Sequence, residues 1–140
     1  MTQAPADFNA QIIAEFRANH GRVGGRFEGA TLLLLHTTGA KSATPYINPV
    51  VYLPDGGRYV VFASKAGAPT NPGWYHNLKA HPDVSIEVEN RTIEVTASEV
   101  TGSERDRLYG RQTELSPQFA RYQANTERVI PVIALTPRSG

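Results

Sequence analysis

The chain has 140 residues, with 14 Lys and Arg against 13 Asp and Glu, for a formal net charge of +1. That length bounds it to one domain, 1–140, able to bury a sizeable core, and the charge balance gives no general field for nucleic acid or an anionic membrane. It has no cysteine, which excludes disulfides, thiolate metal sites and cysteine nucleophiles and fits a reducing cytoplasm.

The first eight residues carry neither a basic start nor an apolar stretch, so no export signal is expected. Asp7 can cap a helix over about 8–19, with Phe8, Ile12, Ile13 and Phe16 on one face. Asn19, His20 and Gly21 end it, and a glycine-rich basic loop follows over 22–29. Residues 31–36 form an apolar run of strand length, far too short to span a bilayer. A second strand is predicted over 48–53, and Pro54-Asp55-Gly56-Gly57 is a hairpin turn into a third over 58–63. A short helix is predicted over 74–79, stopped before Pro82. Residues 84–89 alternate apolar and polar, turn at Asn90 and Arg91, and pair with 92–100. Thr101 and Glu104 have capping-box spacing for a helix through about Gln112. Ser116-Pro117 opens another helical turn carrying Phe119 and Tyr122. Residues 128–135 are a last strand in which Pro131 marks an edge or bulge. Six short strands, mostly joined by hairpins, with helices at the ends and in one crossover, describe a small antiparallel barrel of the α+β class.

Two loops stand out. Ala63-Ser-Lys-Ala-Gly-Ala-Pro-Thr-Asn-Pro-Gly-Trp-Tyr-His-Asn-Leu78 runs from a strand end through small residues and prolines into a helix start. That sequence of elements suits holding an anionic or planar ligand against backbone N–H groups. It is equally a long surface loop closed by a core tryptophan. The second, 37–45, holds Gly39 for a tight bend, Lys41 as a point charge, and hydroxyls at Thr38, Ser42 and Thr44 able to donate to phosphate. It lacks Walker-loop glycine spacing, and a lysine in a polar turn is commonly just solvated. Each loop follows a strand expected to neighbour the other's, so one could hold a phosphate while the other holds a ring.

The four histidines, His20, His36, His76 and His81, do not have metal-set spacing, and no metal is expected. Tyr109, Phe119 and Tyr122 pack as amphipathic helix residues or wall a flat ligand, with a phenol able to donate a proton.

The string Thr37-Thr-Gly-Ala-Lys-Ser42, then Pro45 and Pro49, then Ala63 through Pro82, then Tyr122-Gln and Arg128-Val-Ile-Pro131-Val, resembles the deazaflavin-dependent nitroreductase family of actinobacteria. The resemblance runs from about Phe8 to Pro137. It implies a split β-barrel of the FMN-binding, pyridoxamine-phosphate-oxidase-like group that binds reduced coenzyme F420 and passes its hydride to quinones, unsaturated lactones or enones, and some nitroimidazoles. It implies that Lys41 and Ser42 contact the coenzyme's phosphate and acidic tail, with Pro49 beside that tail. Ser64 and Lys65 would meet the deazaflavin ring, and Ala63 and Ala66 would allow close backbone approach. Trp74 and Asn77 would close the pocket. Tyr122 would line the acceptor side with Ser64 and Phe119, and on chemical grounds Tyr122, or a water it holds, is the expected catalytic proton donor.

Two positions depart from the family pattern. Tyr46 stands where many members carry an arginine toward the tail, and Phe119 where a nitroimidazole-reducing member has a second tyrosine. A deazaflavin carries the hydride chemistry itself, which suits a chain with no strong acid–base constellation. An FMN enzyme of the same fold is the alternative, but Lys41 is isolated where a compact FMN phosphate calls for clustered cations. A deazaflavin carrier without turnover is another. The 8–16 helix face could touch a membrane, yet Glu15 and the scarcity of basic residues favour packing on the barrel. A cytoplasmic monomer or homodimer acting on a small-molecule acceptor is expected.

Overall fold

The computed structural model describes residues 4–19, 21 and 31–138. His20, the 22–29 loop and the side chains of Asp7, Phe8 and Ala66 lie outside the described part. In chain order come α1 (Ala4–Ala18), β1 (Leu32–Thr38), β2 (Pro45–Asp55), β3 (Arg58–Phe62), a 3-10 turn (Lys65–Gly67), α2 (Gly73–Ala80), β4 (Asp83–Val88), β5 (Arg91–Val100), α3 (Gly102–Leu115), α4 (Gln118–Ala124) and β6 (Val132–Pro137). The strands close into an antiparallel barrel in the order β1-β2-β3-β6-β5-β4.

Strand periodicity explains the leucine run of β1, because successive side chains point to opposite faces. Leu33 and Leu35 enter the barrel core with Val61, Ile86, Ile133 and Leu135. Leu32 and Leu34 face outward and are covered by Ile12 and Phe16 of α1. Burying Phe16 completely contributes about 1.5–3 kcal/mol. That helix face is therefore packed on the barrel, and Arg17 pins it further through two hydrogen bonds to Glu87, at 3.0 and 2.6 Å. No described helix is long and apolar enough to cross a membrane. A third cluster, including Leu53, Phe62, Leu108, Tyr109, Phe119 and Val132, sits where α3 and α4 cover the other flank.

Several boundaries differ from the sequence expectation. Helix α1 begins at Ala4, so Asp7 lies within it; Pro5 suits the first turn, where its missing N–H has no partner to lose. Thr101 stands at the N-cap of α3 but makes no side-chain cap bond. The capping box fails because Glu104 instead accepts from Arg58 at 2.6 Å. The β4–β5 turn falls at Glu89, with φ 56°, and Asn90 rather than at Asn90 and Arg91. Strand β6 starts at Val132, so Arg128 and Pro131 precede it; the Pro131 carbonyl accepts the Ala63 N–H at 3.0 Å instead of bulging a strand.

Strand β2 creates the opening. It pairs with β1 from Pro45 to Val51, but with β3 only from Tyr52 to Asp55. Its Pro45–Val51 half has a strand on one side only, and Pro49, which lacks a donor, sits in that half. The two loops are therefore not at the ends of neighbouring strands, since β2 lies between β1 and β3. Its open half runs from one loop to the other.

Candidate active site

A cleft of about 1570 Å³ lies over that open half, well above the roughly 300–1,000 Å³ of common small-ligand pockets. Tyr46, Asn48, Pro49, Val50 and Val51 of β2 form its floor, a run of about 17 Å at strand rise. The turn after β1 closes one end, and Phe62, Ser64 and Lys65 the other. The start of α2 and the Gln118–Tyr122 face of α4 form the walls.

The first end is built by a tight turn. The Gly39 N–H donates to the Thr44 carbonyl at 2.7 Å, and the Thr44 N–H donates to Ser42 Oγ at 3.2 Å. A Cβ on Gly39 would stand 2.4 Å from Ser42 Oγ and 3.2 Å from the Tyr46 ring, so a side chain there would push Ser42 Oγ off the Thr44 N–H. Asn77 of α2 locks the turn, accepting the Ala40 N–H at 3.0 Å and donating to Thr37 Oγ1 at 3.1 Å. Lys41 is exposed on this turn.

At the second end Ser64 is right-handed, at φ −77° and ψ −39°, and Lys65 is left-handed, at φ 46°. Arg128 ties this loop down with bonds to the carbonyls of Ala63, Ser64 and Ala68 and to Asn71 Oδ1, at 2.6–3.1 Å. Burial holds the Arg128 guanidinium below its ordinary range. Gly67, at φ 83°, lies against α4: a Cβ there would be 2.8 Å from the Tyr122 carbonyl oxygen.

Phe119 binds the aromatic wall together, edge-on to Phe62, Tyr109 and Tyr122 at centroid distances of 5.7, 6.3 and 5.1 Å. The two tyrosines have separate fates. Tyr109 is buried, donates to the Phe119 carbonyl at 2.6 Å, and is pushed up to about 12 by that burial. It is a core residue. Tyr122 is half-buried and its hydroxyl has no hydrogen-bond partner among the described residues, and neither do Lys41 Nζ nor the side-chain amides of Asn48 and Gln118. Polar groups left open along an otherwise partly apolar cleft are what a ligand would satisfy.

The cleft brings together Lys41, Ser42, Pro49, Ser64, Lys65, Trp74, Asn77, Phe119 and Tyr122. Ala63 is fully buried and does not line it, while Ala66 contributes backbone to the 3-10 turn. Tyr46, at the Lys41 end of the β2 floor, is 48% exposed. Sequence reasoning missed Asn48, His76 and Gln118 as lining residues, and Arg128 as the tie of the loop. Asn48 carried a signal, being a polar residue between prolines in an apolar strand. Arg128 stands in the family string, but nothing there gives it this role, because its partners lie 57–65 positions away.

A coenzyme with a flat ring and a long phosphorylated, acidic tail fits a cleft of this length, with apolar walls at one end and an unpaired cation at the other. A Mycobacterium tuberculosis F420H(2)-dependent quinone reductase is 44% identical over 131 residues, 89% of this chain and 87% of the relative. The solved structure of an F420-H2 dependent reductase superposes with a TM-score of 0.69 at 38% identity, over 75% of this chain and 93% of that one. A Listeria innocua structure assigned as a pyridoxamine 5′-phosphate oxidase matches at a TM-score of 0.56 and 12% identity, over 94% of each chain, which establishes the split-barrel fold alone. The family described as F420H(2)-dependent quinone reductase matches residues 10–137, and the chain belongs to that family, as an F420H2-dependent reductase whose cofactor is coenzyme F420.

Proposed function

We propose that residues 1–140 act as one reductase domain in the cytoplasm, reducing a quinone in this cleft with reduced F420. The observation that carries the proposal is the pair of unlike ends joined by the open half of β2. Lys41 and Ser42 hold the phosphate and acidic tail, with Pro49 beside them. Ser64 and Lys65 hold the ring, with the small Ala63 and Ala66 beside them leaving room for its close approach, and Trp74 and Asn77 close the pocket by fixing α2 against the first turn. The coenzyme supplies the hydride when bound. The chain supplies alignment and exclusion of water: Phe62, Phe119 and Trp74 present apolar surface, and Ser64, Phe119 and Tyr122 border the acceptor. Tyr122, with its hydroxyl unengaged, donates the proton that neutralises the acceptor oxygen after reduction. Phe119 favours a flat apolar quinone over a nitroimidazole, because its ring adds no hydroxyl to receive a nitro group.

The test mixes purified protein and reduced F420 separately with menadione, an enone and a nitroimidazole, following coenzyme oxidation. The expected order is menadione fastest and the nitroimidazole slowest. Oxidation no faster than without protein for all three would end the proposal.

A further inference from the structure

Arg128 has no part in the chemistry above, yet it commits its whole side chain to one loop. Nε donates to the Ala68 carbonyl at 3.0 Å, Nη1 to the Ala63 carbonyl at 3.1 Å and Asn71 Oδ1 at 2.6 Å, and Nη2 to the Ser64 carbonyl at 2.9 Å. No carboxylate pairs with it among the described residues. Its own backbone is held in turn. The Arg128 carbonyl accepts from Gln123 Nε2 at 2.7 Å, and Gln123 Oε1 accepts from the Ile130 N–H at 3.1 Å and from Arg105 Nη2 at 2.6 Å. Arg105 also donates twice to the Ile130 carbonyl, at 3.1 and 2.9 Å. The guanidinium therefore projects from a fixed base.

Peptide geometry gives the consequence. In a planar trans peptide the C=O and the next residue's N–H point in opposite directions. With the Ala63 and Ser64 carbonyls turned onto Arg128, the Ser64 and Lys65 N–H groups face away from it. Ser64 and Lys65 line the cleft, and neither N–H has a partner among the described residues. We infer that Arg128 is a positioning residue: from behind the loop its planar fork turns the Ser64 and Lys65 N–H groups into the cleft, to donate to an oxygen of the ring ligand. The inference rests on the F420 reading above. A lysine cannot replace it, because an ammonium is a point charge without the fork that reaches three carbonyls at once.

The test compares wild type with Arg128→Lys and Arg128→Gln. Coenzyme affinity is measured by fluorescence titration, and the acceptor KM and kcat are measured at saturating coenzyme. Both variants should lose about tenfold to a hundredfold in coenzyme affinity. The acceptor KM should change less than the coenzyme affinity, since Phe119 and Tyr122 on α4 are untouched and, of the residues bordering the acceptor, only Ser64 lies on the loop that Arg128 holds. Full recovery of affinity in Arg128→Lys would overturn the fork argument, and wild-type affinity in a folded Arg128→Gln would reduce Arg128 to a structural residue. Because either variant could fail to fold, wild-type amide exchange is the second measurement. The Ser64 and Lys65 amides should gain protection when F420 binds, and no gain at either overturns the inference. A wild-type protein that fails to bind F420 at all overturns the underlying reading and the inference with it.

Discussion

Replacing Gly67 with alanine should damage both stability and turnover, and the structure sets the size of each. Gly67 sits at φ 83°, and a Cβ would lie 2.8 Å from the Tyr122 carbonyl oxygen, 3.1 Å from its Cα and 3.2 Å from Asn125 Cβ. Left-handed backbone costs a non-glycine residue about 1–2 kcal/mol, and overpacking against backbone adds about 1–3 kcal/mol. The smaller conformational freedom of the unfolded alanine chain returns about 0.4–1 kcal/mol. Gly56 is the control, because at φ 57° it shares the backbone term but has nothing within 4 Å. The difference between Gly67→Ala and Gly56→Ala is then at least the contact, about 1–3 kcal/mol, since φ 83° lies further from the left-handed region open to alanine than φ 57°. For a chain of 140 residues that is a further loss of about 3–10 °C in Tm, read by calorimetry without coenzyme. Relief of the contact displaces the α4 backbone at Tyr122, so turnover should also fall in Gly67→Ala and not in Gly56→Ala. Equal melting temperatures for the two variants would refute the claim that the loop is wedged against α4.

Lys41→Ala should weaken F420 binding about tenfold to a hundredfold, as loss of one charged contact does, and flatten the dependence of affinity on salt; an unchanged dissociation constant across a salt series would return Lys41 to solvent. Tyr122→Phe should keep fold and coenzyme affinity while lowering turnover by about a hundredfold or more, whereas an effect confined to acceptor KM in stopped-flow oxidation would make it a packing residue. Acid should loosen α1. Hydrogen bonds from Arg17, and secondarily from His36, hold the Glu87 carboxyl below its ordinary 4.5 against an opposing effect of burial. A carboxyl depressed in the folded state contributes stability that is complete above the unfolded value and lost as pH falls through the folded one. The Tm of wild type should thus hold down to about pH 5 and drop below it, with a shallower drop in Glu87→Gln. Asp55, likewise held low by Arg58, keeps some acid sensitivity in that variant, and identical pH profiles would remove Glu87 from the account.

What the sequence made legible was local. The alternation of 84–88 and 92–100, the paired glycines at 56 and 57 with φ 57° and 91°, and the loop running into Trp74 each carry their geometry in adjacent residues. The sequence ends β1 at 36 and opens β2 at 48, short of the ladder, because polar Thr37 and Thr38 and the donor-less Pro45 read as turn, while 37–38 pair with 45–46. The resemblance named residues that the structure then gathers around one cleft. The cleft itself came from the unequal pairing of β2, which no local pattern encodes. Asn77 and Arg128 are the same kind of case. Each ties a loop by hydrogen bonds to partners 37–65 positions away, and a polar side chain in sequence does not announce where it will land. Glu104 erred in the opposite direction, since its capping-box spacing was overridden by an arginine 46 positions earlier.

The central claim is that the two ends of the cleft hold opposite ends of one coenzyme. The most direct test is to titrate wild type and Lys41→Ala with whole F420 and with its deazaflavin–ribityl fragment, which lacks the phosphate and tail. The account predicts that Lys41→Ala loses about tenfold or more in affinity for whole F420 and binds the fragment as wild type does. Equal losses for both ligands would contradict it, because Lys41 would then act on the ring or on the fold rather than on the tail.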